Sequence, residues 1–205
     1  MRETVKKSTR VIFVRHGQAD FPTDRLYCDD SEDPALSELG QQQARNAAEL
    51  LHGIEVDQVI VSAWKRTMMT AEAINQVLKA PLSTTDRLRE RPFGVWDGLY
   101  FKDIERDFPE DFRAWKADQV NYVPEGGETI PELRERVNTE INSIIQAHLG
   151  KTIVVVAHVG PIRVMIADAI GLPLANYRQL NIDYASISQV DYGQRLNNLI
   201  YLNRL

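Results

Sequence analysis

Five side chains far apart in the chain have the types needed for acid, base and anion chemistry: Arg15, His16, Arg66, Glu90 and His158. Arg15 and His16 end the apolar run Val11-Ile12-Phe13-Val14 and are followed by Gly17. His158 ends a second such run, 152–157, and is followed by Val159 and Gly160. An Arg-His-Gly alone also fits a strand end with no task. Its repetition implies two imidazoles over one pocket, because both runs read as buried strands whose carboxyl ends open into the crevice where α/β sheets bind ligands. Gly17 is expected to let the backbone turn and a ligand approach closely.

Arg66 follows a strand at 56–61 and opens a helix with Thr70, Ala71, Ile74, Val77 and Leu78 on one face. A cation is poorly placed at a helix N-terminus, and a bound anion would resolve the conflict. Glu90 stands between Arg89 and Arg91, an arrangement that is ordinarily a solvated pair. Together, two guanidinium groups and two imidazoles suit a compact dianion, and phosphate fits better than carboxylate because guanidinium forks bind its oxygens in pairs. The chain has no P-loop lysine motif, no Rossmann glycine fingerprint, no acidic cluster spaced for a metal pair and no zinc-type Cys/His spacing. A protein nucleophile is then required, and neutral histidine can serve.

The elements that must position these groups alternate between strand and helix, which predicts an α/β fold. Residues 18–34 read as a long loop over the crevice, with Cys28 a bystander thiol. Ser37 is an N-cap for a helix carrying Ala44, Ala47, Ala48 and Leu51, closed by Gly53. Residues 101–122, charged with scattered aromatics, read as a helical cap whose cations Lys102, Arg106, Arg113 and Lys116 form a solvated face. A turn-rich hinge at 124–129 precedes a long helix opened by a capping box of Thr129 and Glu132. Pro161 suits the first turn of a further helix with the apolar stripe Ile162, Met165, Ile166, Ala169 and Ile170. Closing strands are expected at 186–190 and 199–202, and they could supply a dimer edge.

With 205 residues, 43% hydrophobic, the chain can build one sizeable core, and we expect a single domain over 1–205 with a cap insertion at 99–128 and disorder in 1–9. The net charge of -5 favours neither nucleic acid nor an anionic membrane as partner, so any anion site must be local. A lone cysteine and the lack of an apolar span of about 20 residues point to a soluble, cytoplasmic protein.

Arg15-His16-Gly17 resembles the signature of the histidine phosphatase superfamily, the phosphoglycerate mutase-like proteins. The resemblance runs in order through Leu36-Ser37-Glu38-Leu39-Gly40 with Gln43-Ala44, Ser62 to Arg66 and Thr70-Ala71, Leu88-Arg89-Glu90 with Phe93-Gly94-Val95-Trp96-Asp97-Gly98, Gly126-Gly127-Glu128-Thr129, and His158-Val159-Gly160. It implies a three-layer α/β/α sandwich with a mostly parallel central sheet and a small helical cap, no cofactor and no metal. It makes His16 the nucleophile and Glu90 the acid and then the base. Arg15, Arg66 and His158 would hold the phosphoryl oxygens, with Gly17, Gln18 and Val159 also at the substrate. Protonation of His16 should switch the enzyme off at low pH. Gln18, Ala19 and Pro22 stand where the family usually places Glu, Thr and Asn, which should remove two donors to the phosphate. The expected function is metal-independent hydrolysis of a small phosphorylated metabolite, in the manner of α-ribazole or broad-specificity phosphatases. The alternatives are phosphoglycerate mutase-type transfer and a catalytically weak phospho-ligand binding protein.

Overall fold

The computed structural model describes residues 8–26 and 32–205, so Cys28 and the start of the chain lie outside the described residues. In chain order the elements are β1 (Thr9–Arg15), α1 (Glu38–Leu50), β2 (Gln58–Ser62), α2 (Lys65–Leu78), β3 (Leu82–Thr85), α3 (Phe101–Asp107), α4 (Pro109–Ala117), α5 (Ile130–Ala147), β4 (Thr152–Ala157), α6 (Val159–Ala169), β5 (Ile187–Tyr192) and β6 (Asn197–Arg204). The strands form one sheet in the order β3-β2-β4-β1-β5-β6. β3, β2, β4 and β1 run parallel, whereas β5 pairs antiparallel with both β1 and β6. The mostly parallel expectation therefore holds for the half that carries the histidines.

Strand side chains alternate between two cores, as the pleat requires. Val11, Phe13, Ile153, Val155 and Ala157 pack with Leu133, Val137 and Ile141 of α5 and Ile162, Met165 and Ile166 of α6. Ile12, Val14, Val59, Val61, Val154 and Val156 face Ala47 and Ala48 of α1 and Ala71 and Ile74 of α2. Burial on both faces explains the unbroken apolar runs in β1 and β4. A separate cluster of Trp96, Ile104, Phe112 and Trp115 holds α3 and α4 together as the cap.

The expected helix signals hold. Ser37 accepts from the Gly40 amide, and Thr129 and Glu132 make the reciprocal capping box. Other expectations need correction. Thr9 is buried in β1 rather than disordered. β2 starts at Gln58 because the Asp57 carboxylate turns onto the Thr152 amide. Ile170 is exposed at the end of α6, where the stripe stops. The turn at 124–129 is no hinge, since Val95 N donates to Glu125 O and Glu128 N to Pro92 O. The first loop is likewise sewn to the cap: Leu26 N donates to Leu99 O, Gly98 N to Leu26 O and Phe101 N to Asp24 O. Among the described residues no helix is long and apolar enough to cross a membrane.

Candidate active site

β1 and β4 are central neighbours, with Arg15 opposite Ala157, so His16 and His158 leave the sheet side by side. Their rings lie 5.2 Å apart between centroids, and both are buried. Arg66 comes to them from the first turn of α2. Thr67 clamps that turn by donating to Ser62 O at 2.7 Å and Trp64 O at 2.6 Å, and the Arg66 guanidinium lies 4.2 Å above the Trp64 ring. From there Arg66 Nε donates to His16 Nε2 at 3.3 Å and Nη2 to His158 Nδ1 at 3.2 Å.

These contacts assign the protons. A guanidinium only donates, so both imidazole nitrogens that face it carry lone pairs. His16 Nδ1 then bears the hydrogen and donates to Gly17 O at 2.7 Å. In His158 the arrangement is reversed: Nε2 bears the hydrogen and donates to Ser62 Oγ at 2.9 Å. Burial first, and the charge of Arg66 second, hold both imidazoles well below the usual histidine range. Both rings are therefore neutral, with His16 Nε2 a lone pair on the cavity side and His158 Nδ1 a lone pair engaged by Arg66.

Arg15 is fixed by Nη1 donating to Ile182 O at 2.7 Å and by stacking 3.7 Å from the Tyr184 ring centroid, while its buried Nε has no hydrogen-bond partner among the described residues. Glu90 comes from the other side. Its Oε2 accepts from Gly160 N at 3.0 Å at the start of α6, and its Oε1 from Arg91 N at 3.0 Å. A Cβ at Gly160 would lie 2.2 Å from Oε1, so glycine there is what admits the carboxylate. Arg91 does not pair with Glu90 through its side chain; its Nη1 donates to Glu128 O.

A cavity of about 300 Å³ is lined by Arg15, His16, Arg66, Glu90, Val159 and, from the cap side, Phe93, Phe101 and Trp115. His158 lies under its floor, fully buried. Gly17 and Gln18 do not line it. A Cβ at Gly17 would sit 2.4 Å from Gly40 O, so glycine there admits the start of α1. Its amide donates to Thr70 Oγ1, and Gln18 N to Gln43 Oε1. Both residues thus brace the loop behind His16. The conflict at the start of α2 is eased from within the chain, because the Asp33 carboxylate accepts from Lys65 N at 2.9 Å. A larger cavity, about 800 Å³, opens between α5, α6 and the β5–β6 turn at the opposite ends of the strands and contains none of these residues.

Sequence reading missed Tyr184, Arg25, Arg163 and Arg178 of the smaller cavity. All four lie outside the tips of the apolar strands, and no periodic signal marks them. Of the cap cations, Arg106 pairs with Asp103 and Asp107, and Lys102 and Lys116 lie over Tyr100 and Phe112, in keeping with a solvated face.

The profile of the histidine phosphatase superfamily (branch 1) matches residues 11–204. The chain belongs to this superfamily. It is 31% identical to phosphoserine phosphatase 1 of Hydrogenobacter thermophilus over 195 residues, covering 95% of this chain and 92% of that one. With the adenosylcobalamin/alpha-ribazole phosphatase of Escherichia coli it shares 29% over 194 residues, 95% of each. The structure of a mycobacterial glucosyl-3-phosphoglycerate phosphatase superposes with a TM-score of 0.85 at 28% identity, covering 97% of this chain and all of the other. Superfamily membership and the α/β phosphoglycerate mutase-like fold thus agree with the resemblance read from the motifs.

Proposed function

We propose that the protein is a metal-independent phosphomonoester hydrolase that works through a phosphohistidine at His16 on a small phosphorylated metabolite. The observation that carries this reading is the pair of neutral imidazoles of opposite tautomer on one buried guanidinium, with the Glu90 carboxyl in the same cavity. The phosphatase names of the relatives above support it.

An arriving phosphoryl group takes over the donors that Arg66 now directs at the two rings and meets the unpartnered Arg15 Nε. That exchange uncovers the His16 Nε2 lone pair. It attacks phosphorus as the P–O ester bond breaks, and the Glu90 carboxyl protonates the departing oxygen. The Glu90 carboxylate then takes a proton from water, the water oxygen attacks phosphorus, and the P–N bond breaks to release inorganic phosphate. Charge spreads over the equatorial oxygens in both steps, where fixed guanidinium donors stabilise it without reorganising.

The test is phosphate release by chelator-treated protein from p-nitrophenyl phosphate, 3-phosphoglycerate, α-ribazole phosphate and sugar phosphates. Hydrolysis that survives chelation is the expected result. Activity that chelation removes and magnesium restores would overturn the metal-independent reading, and transfer between phosphoglycerates without net phosphate release would replace hydrolysis by the mutase reaction.

A further inference from the structure

Away from the cavity, Arg10, Arg87, Arg106, Arg113, Arg134 and Arg136 each have an acidic partner, and Arg45, Arg89, Arg195 and Arg204, which have none among the described residues, are exposed to solvent. Inside it, Arg91, Arg163 and Arg178 have none among the described residues, although the chain carries a net charge of -5. Their own contacts are neutral acceptors: Arg91 Nη1 donates to Glu128 O, Arg163 Nε to Leu180 O and Arg178 Nη1 to Gln119 Oε1. Arg25, at the same cavity, is already paired with Glu32. Glu90 is the one carboxylate lining the cavity among the described residues, and the proposed chemistry uses it.

A phosphoryl group held by Arg15 and Arg66 leaves the other three guanidinium groups unmatched. Arg163 shows the strain of this arrangement, since burial and then the charges of Arg178 and Arg15 hold it below the usual arginine range. A half-buried cation beside other cations gains when an anion enters, and a guanidinium fork fits a carboxylate bidentately. The space favours a small group, because the cavity of about 300 Å³ must also take the phosphoryl group and the body of the substrate.

We infer that the substrate's leaving group carries a carboxylate, received by Arg163 and Arg178 on the α6 side of the cavity. The inference rests on the phosphatase reading above and narrows it to phosphorylated small acids.

Matched pairs test it: O-phosphoserine against O-phosphoethanolamine, and 3-phosphoglycerate against glycerol 3-phosphate, each differing only at the carboxylate. The carboxylate member should show a kcat/KM higher by roughly tenfold or more, the scale of one charge-assisted contact. That ratio should fall toward one in Arg163→Gln. Arg178→Gln, at an exposed position, provides the second variant if the first folds poorly. Equal rates within both pairs would overturn the inference while leaving hydrolysis standing. So would a ratio that survives both substitutions, or a larger preference for fructose 1,6-bisphosphate over fructose 6-phosphate. Calorimetric titration of the same pairs into His16→Ala protein separates the two readings. Carboxylate-selective binding without turnover by the unmodified enzyme would sink the reaction and keep the site.

Discussion

The tips of β1 and β4 begin from one pattern, an apolar strand that releases a histidine and a nearby glycine, and end in opposite chemistry. His16 holds its proton at Nδ1 against Gly17 O and presents Nε2 to the cavity. His158 holds its proton at Nε2 against Ser62 Oγ and gives Nδ1 to Arg66 beneath the floor. One ring is left able to attack, and the other is locked to position a guanidinium. The glycines differ as well: Gly17 admits the backbone of α1, and Gly160 admits the carboxylate of Glu90. Equivalent sequence signals thus reach different roles through whichever neighbour supplies the hydrogen-bond partner.

Removing the attacking ring should separate the two tips most. His16→Ala is expected to cost on the order of 10⁴-fold or more in kcat, as loss of a nucleophile does in other enzymes, and to abolish a base-stable, acid-labile phosphoryl label on the protein. A label of the same kind that persists in this variant and disappears in His158→Ala would invert the comparison.

His158→Asn should cost up to about 3 kcal/mol of transition-state stabilisation, the scale of an oxyanion donor, because Arg66 loses the acceptor that aims it, while the label stays on His16. Kinetics with labelled substrate decide it, and a cost as large as that of His16→Ala would make the two rings equivalent.

Both rings are buried neutral and titrate well below the usual histidine range, so kcat/KM should retain activity below pH 6.5 and fall only at lower pH. Stability carries the same sign. Above the unfolded value near 6.5 neither state binds the protons, and below it the unfolded chain binds protons that the folded protein refuses. Each ring then lowers stability by about 1.4 kcal/mol per pH unit until its folded value is reached. Urea melts at pH 7.5 and 5.5 measure this, and His158→Asn should flatten the slope. Equal stability at the two pH values would mean that the rings are not neutral and buried.

The finest test is Ser62→Ala, which removes the acceptor that sets the His158 tautomer. It leaves a buried N–H unsatisfied, at about 1–3 kcal/mol in stability, and should lower kcat by roughly tenfold or less. Loss as great as that from His158→Asn would show that the tautomer, and not the ring alone, positions Arg66.

The chain order of residue types was enough to read β1, β4, the two histidines, the N-caps at Ser37 and Thr129 and the alternation of strand and helix, because burial on both faces demands continuous apolar runs and helix ends demand particular local partners; the three layers came from the family resemblance. Arg66 and Glu90 were legible for a similar reason, since each lies where a strand or short run gives way to a polar segment. Arg163, Arg178 and Tyr184 were not, because α6 and the segment after it acquire their meaning from the cavity they happen to border. Nor does any local pattern say that Gly17 faces Gly40, or that Asp33 caps α2. The sequence by itself determined which groups stand at the strand tips, a matter of periodicity along one chain. Which nitrogen of each imidazole holds its proton, and which arginines face the cavity without an acid, only the tertiary structure decided, because both depend on partners brought together from distant parts of the chain.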